Sequence, residues 1–121
     1  MKNKRYQRDL VIVTTTSDNR AKAIKMANAI VATRLAACVQ IVEIGSIYRW
    51  KGKVESASEY LLLAKTRRAL GQRLVTFIKK HHTYELPEVA ILPIIGGLDR
   101  YLDWIREETK SLSKRRTSRN T

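Results

Sequence analysis

The feature that most constrains this chain is a long stretch of alternation around one turn. Cys38-Val39-Gln40-Ile41-Val42-Glu43-Ile44 alternates with period two, as a strand does. Gly45-Ser46 is expected to break it, and Ile47-Tyr48-Arg49-Trp50 resumes it. Lys51-Gly52-Lys53 reads as a hairpin turn, and residues 54–66 run back as the partner strand, ending in the apolar Tyr60-Leu61-Leu62-Leu63-Ala64. A hairpin over residues 38–66 is longer than a small sheet needs. It must project beyond its own sheet and expose edges that another copy of the chain can pair with. Oligomerisation is a physical expectation of the hairpin's length.

The flanking segments supply the rest of the domain. Residues 9–16 are β-branched and apolar at their centre, a buried strand, and Ser17, Asp18 and Asn19 follow with oxygens suited to a helix N-cap. From Arg20 the spacing becomes helical, with Ile24, Ala27, Val31 and Leu35 on one face and Lys22, Lys25 and Arg34 on others. A second helix is expected over residues 67–82, with Leu70, Leu74, Phe77, Ile78 and His81 along one stripe. It must stop before Leu86, which Pro87 pushes toward extended geometry. Residues 89–95 form a fourth strand, and Pro93 marks it as an edge or its end. Gly96-Gly97 turns the chain, and Leu98, Leu102 and Ile105, with Tyr101 and Trp104, make a short closing helix. The order is β-α-β-β-α-β with an extra C-terminal helix, an α+β, ferredoxin-like arrangement.

Charge sits mainly at the ends. Of the net +13, residues 1–9 and 110–121 together supply +8. The expected organisation is therefore a basic N-terminal extension over 1–9, one domain over 10–109 and a basic, flexible tail over 110–121. Such tails bind polyanions weakly and without sequence preference, in a salt-dependent way, or are simply solvated. Cys38 is the only cysteine, which excludes an internal disulfide and a four-cysteine zinc site. No apolar run approaches the roughly 20 residues needed to cross a bilayer, and no secretory pattern follows the charged start. A soluble cytoplasmic protein with no membrane partner is the expectation. No nucleophile elbow, phosphate loop or H-E-x-x-H string is present, so no enzyme is expected.

The only two histidines fall in His81-His82-Thr83-Tyr84-Glu85-Leu86-Pro87-Glu88. Successive helical residues point about 100° apart, so adjacent imidazoles cannot both reach one ion from a regular helix. They can if the last turn frays or if groups from elsewhere join them. The alternative is that His81 continues the apolar face while His82 caps the helix C-terminus. Tyr84, Glu85 and Glu88 can complete a mixed site or serve a cleft at a subunit boundary.

Several strings in register resemble one known family. They are Val13-Thr14-Thr15-Thr16 with Asp18, Leu35-Ala36-Ala37-Cys38-Val39, Ser46-Ile47-Tyr48-Arg49-Trp50-Lys51-Gly52-Lys53-Val54-Glu55, Leu63-Ala64-Lys65-Thr66, His82-Thr83-Tyr84-Glu85-Leu86-Pro87-Glu88, and Tyr101-Leu102-Asp103-Trp104-Ile105. Together they are similar to the CutA family of divalent-cation tolerance proteins. The resemblance implies a homotrimer of PII-like architecture and a role in tolerance to divalent metal ions, copper especially.

It also implies that His81 and His82 match a histidine pair associated with copper in some members. The accompanying cysteine falls at Thr14, so the soft donor that copper(I) favours is missing. Cys38 reads as a small buried residue. Tyr48 and Trp50, on one face of the hairpin, suit packing between subunits of the trimer; alternatively, Tyr48, Trp50, Glu59, Lys65, Tyr84 and Glu85 wall an inter-subunit cleft. The alternative function is a PII-like signalling module that binds a small anionic ligand there, using Lys65, Arg67 and Arg68.

Overall fold

The computed structural model describes residues 8–111. Four strands and three helices follow in the order β1 (Leu10–Ser17), α1 (Arg20–Ala32), β2 (Cys38–Trp50), β3 (Lys53–Arg67), α2 (Gly71–His81), β4 (Val89–Pro93) and α3 (Asp99–Glu108). A single 3-10 turn, Arg68–Leu70, leads into α2. The sheet order is β2-β3-β1-β4, antiparallel throughout. This is the arrangement expected from the alternation of periods, with β4 at an edge where Pro93 is tolerated. The basic tails assigned to polyanion binding fall mostly on residues 1–7 and 112–121, outside the described residues.

Helices α1 and α2 cover one face of the sheet. Val11 and Val13 of β1 and Ala64 of β3 point into this layer and meet Ile30, Leu35, Leu74 and Ile78, all buried. Each such aliphatic side chain removed from water contributes about 1.5–3 kcal/mol. Asn19 starts α1 by accepting the Lys22 N–H on its side-chain oxygen at 2.9 Å. Arg34, just past the helix, takes positive φ (62°), the left-handed turn that ends many helices. Thr66, fully buried, donates to the Leu35 carbonyl at 2.7 Å and pins this turn to β3.

Three details differ from the sequence expectation. The buried face of α1 is Ala23, Ala27 and Ile30 rather than Ile24 and Val31, and Leu35 is buried in the turn beyond the helix. Small alanines let the helix approach Leu62 closely, so proximity rather than hydropathy selects the face. Gly45-Ser46 does not interrupt β2, whose pairing with β3 runs in unbroken register from Cys38↔Lys65 to Trp50↔Lys53. The ladder satisfies the backbone there, and no contact demands a bulge. Finally, Leu70 just ahead of α2 and Leu74 and Ile78 within it are buried, Phe77 packs partly buried against the same core, and His81 is exposed instead of continuing the stripe.

The second sheet face is covered at one end only. There α3 seats Leu102 and Ile105 against Leu10, Ala37 and Ile94. Arg67 anchors the helix end by donating to Thr109 Oγ1 at 2.9 Å and to the Arg106 carbonyl. Asp9 holds Arg106 from the other side at 2.7 Å. Beyond α3, the unbroken register places Ile12, Val42, Ile44, Leu61, Leu63 and Leu92 on one open face. Val42 and Leu92 are 47% and 46% exposed. β1 pairs β3 only as far as Ser17↔Tyr60, so residues 44–59 project as a two-stranded arm roughly 20 Å long.

Candidate functional site

A cleft of about 920 Å³ lies between this arm and the loop that follows α2. The arm contributes Tyr48, Arg49, Trp50 and Glu59; the loop contributes Tyr84, Glu85 and Pro87. The loop folds back because Pro87 forbids helix continuation and because His82 ties it down. The Tyr84 N–H donates to His82 Nδ1 at 3.1 Å. That bond puts the ring proton on Nε2, which donates to the Thr16 carbonyl at 2.5 Å. Both ring nitrogens of His82 are therefore engaged, and its ring packs on Tyr84 with centroids 4.6 Å apart.

So placed, Tyr84 donates its hydroxyl to Glu59 Oε2 at 2.8 Å. Glu59 is only 8% exposed, which makes this bond the main polar contact between loop and arm. Burial, followed by the Glu59 carboxylate itself, pushes the Tyr84 hydroxyl well above the ordinary tyrosine range, because both disfavour a phenolate there. Glu85 approaches Lys51 at the arm's turn, 4.0 Å apart with both side chains largely exposed, a contact of small energetic weight.

Five of the six expected cleft residues thus come together, and Lys65 does not. It sits six positions along β3 from Glu59, roughly 20 Å away, and donates to Tyr101 Oη at 3.1 Å. Cys38, its cross-strand neighbour, is half-buried rather than enclosed, with Sγ 4.0 Å from the same oxygen. Arg67 is turned to Thr109 and α3, and Arg68 is exposed at the start of the 3-10 turn. The cationic trio expected to hold an anion in the cleft therefore lies elsewhere. Arg49 is the arginine among the residues lining the cleft, one that sequence alone did not single out.

The histidines do not converge. His81 stacks on Phe77 at 4.2 Å and donates from Nδ1 to the Phe77 carbonyl at 2.9 Å, leaving Nε2 as the one unengaged imidazole lone pair. Among the described residues no group of three or more His, Cys, Asp or Glu side chains is gathered to hold a metal ion. The donor set of a single copy does not fit a closed metal site. Also among the described residues, no helix is long and apolar enough to cross a membrane.

A split β-α-β-β-α-β sheet with a projecting arm, an open apolar face and a cleft along the arm defines the class: an α+β, ferredoxin-like protein. Comparison with known proteins gives the family. Residues 11–108 match the model of the CutA1 divalent ion tolerance protein. A chloroplastic CutA protein of Arabidopsis thaliana is 47% identical over 102 residues, which cover 84% of this chain and 56% of that protein. A chloroplastic relative of rice is 42% identical over 101 residues, covering 83% and 57%. The chain thus spans little more than half the length of these plant relatives.

The solved divalent cation tolerance protein of Thermus thermophilus superposes with a TM-score of 0.80 at 43% identity, covering 84% of this chain and 99% of that one. This chain belongs to the CutA1 divalent ion tolerance family. The expected cytoplasmic location is overturned by the same comparisons. The plant relatives are named chloroplastic, and a solved structure from Archaeoglobus fulgidus is named periplasmic. One fold therefore serves several compartments, and a lone cysteine with no disulfide need is compatible with all of them.

Proposed function

We propose that this chain is a non-enzymatic homotrimer acting in tolerance to divalent metal ions, and that the trimer converts the cleft into an inter-subunit site. The observation that carries this is the open sheet face. Ile12, Val42, Ile44, Leu61, Leu63 and Leu92 form a contiguous apolar surface flanked by an arm with free edges. A surface of that kind marks an association site. Copies seated on it bury the apolar side chains and offer the arm a partner. Solution mass by light scattering tests the reading: three chains are expected for the wild type. Leu63→Glu, which buries a carboxylate in the contact, is expected to leave single folded chains. A monomeric wild type would end the proposal.

A divalent ion such as copper is the cofactor this family suggests, and the resemblance points to His81 and His82. In one copy only His81 Nε2 has a free lone pair, while His82 would have to surrender two hydrogen bonds. We therefore assign first contact with the ion to His81, with further donors supplied from outside the copy. Calorimetric titration of copper(II) and zinc(II) is expected to lose most of its heat in His81→Ala. Equal heats in the wild type and in a His81→Ala/His82→Ala double variant would remove both residues from the role.

A further inference from the structure

A second cavity, of about 320 Å³, opens on the helical side of the sheet between α1 and the end of α2. Its floor is apolar, from Met26, Ala29 and Phe77, and the imidazole stacked on Phe77 extends that wall. Lys22 and Lys25 stand at its rim. The two helices that flank it carry charge of one sign, Arg20, Lys22, Lys25, Arg73, Lys79 and Lys80 with no carboxylate. Lys22 reaches Asp18 at 3.6 Å with both side chains half exposed. Lys25 has no ion pair among the described residues. The first turn of α1 adds the partial positive charge of a helix N-terminus, while Lys79 and Lys80 offset the opposite charge at the end of α2.

We propose that this groove binds a small organic anion: an anionic head, phosphate or carboxylate, held by Lys22 and Lys25, with an apolar body lying on Met26, Ala29 and Phe77. The volume is that of a small-molecule site, at the lower end of the roughly 300–1,000 Å³ such sites occupy. Inorganic anions would gain the charge but leave the apolar floor wet. Macromolecular polyanions would follow total helix charge rather than the groove. Because the helices lie on the face opposite the open apolar surface, the groove stays accessible in the assembly proposed above. The inference does not rest on that assembly or on any metal.

The test uses the full chain in metal-free buffer, with phenyl phosphate as probe and inorganic phosphate, benzoate and benzyl alcohol as partial mimics. Calorimetry and amide-shift titration are expected to show one saturable phenyl phosphate per chain, at least about tenfold tighter than inorganic phosphate. Benzoate binding comparably would assign the preference to a carboxylate head. Lys22→Gln/Lys25→Gln is expected to weaken binding at least about tenfold, whereas Lys79→Gln/Lys80→Gln, which removes the same charge outside the cavity, changes it less than about twofold. Equal losses in the two double variants, equal affinity for phosphate and phenyl phosphate, or no saturation by either organic anion up to about 10 mM would each overturn the proposal.

Discussion

Removing one oxygen from Tyr84 tests the joint between the loop and the arm. Tyr84→Phe keeps the ring that packs on His82 but leaves Glu59, 8% exposed, without the donor 2.8 Å from its carboxylate. A hydrogen bond to a charged group of this kind contributes about 1.5–3 kcal/mol, and the carboxylate's position gives it little water to substitute. We expect Tyr84→Phe to destabilise the protein by about 2 kcal/mol at neutral pH. Urea unfolding at fixed protomer concentration, followed through Trp50 and Trp104, measures it.

A pH series adds a second readout on the same contact. The folded Tyr84 hydroxyl holds its proton more tightly than an unfolded tyrosine, so its contribution is complete below about pH 10. Above that, the unfolded chain releases a proton that the folded chain keeps, and stability falls as pH rises. The slope is at most about 1.4 kcal/mol per pH unit, reduced because Tyr84 is only partly shielded from solvent. The Phe variant should lack this component of the alkaline loss. A Tyr84→Phe cost under about 0.5 kcal/mol, or an equal cost in a Glu59→Gln background, would refute the reasoning, since coupled partners cannot act additively.

Two further outcomes follow from the same geometry. His82→Ala strands the Thr16 carbonyl and the Tyr84 N–H and is expected to cost about 1–3 kcal/mol, against less than about 0.5 for the exposed His81→Ala; thermal unfolding in which the order is reversed would contradict the assigned hydrogen bonds. The Arg106 guanidinium holds the Asp9 carboxyl below its ordinary range, so Asp9 stabilises above about pH 4 and that contribution is lost as pH falls through the folded value. With Asp9 half exposed, Asp9→Asn should cost about 0.5–1 kcal/mol at pH 7 and progressively less as the pH is lowered into the acid range, by urea midpoints at each pH.

The architecture was legible because it is written in periods. Period-two runs on either side of Lys51-Gly52-Lys53, helical spacing around Leu74 and Ile78, and Pro87 as a stop together leave few alternatives to the split sheet. The face of α1 was legible only in part, at Ala27 and at Leu35 just beyond the helix. Hydropathy ranks Ile24 and Val31 above Ala23 and Ala27, but a helix lying directly on Leu62 needs small side chains at the contact. Gly45 misled for a related reason. Glycine weakens an isolated strand, yet in a long two-stranded arm each residue is held by the ladder on its neighbour, and one weak position does not break thirteen in register.

The site divides along the same line. Angular spacing alone said that adjacent imidazoles diverge, and they do. What spacing could not say is what His82 does instead, because its partners are main-chain groups: the Tyr84 N–H two residues on and the Thr16 carbonyl 66 residues back. Backbone partners leave no mark in residue identity. The consequence reaches past one side chain. Since His82 sets where the loop folds, it sets where Tyr84 meets Glu59, and through Glu59 how the arm stands over the cleft. An ion that captured His82 would release those two hydrogen bonds and free the loop, whereas one bound to His81 would leave the cleft as it is. Of the two adjacent histidines, alike in sequence, only His82 is tied to the arm, through Tyr84 and Glu59.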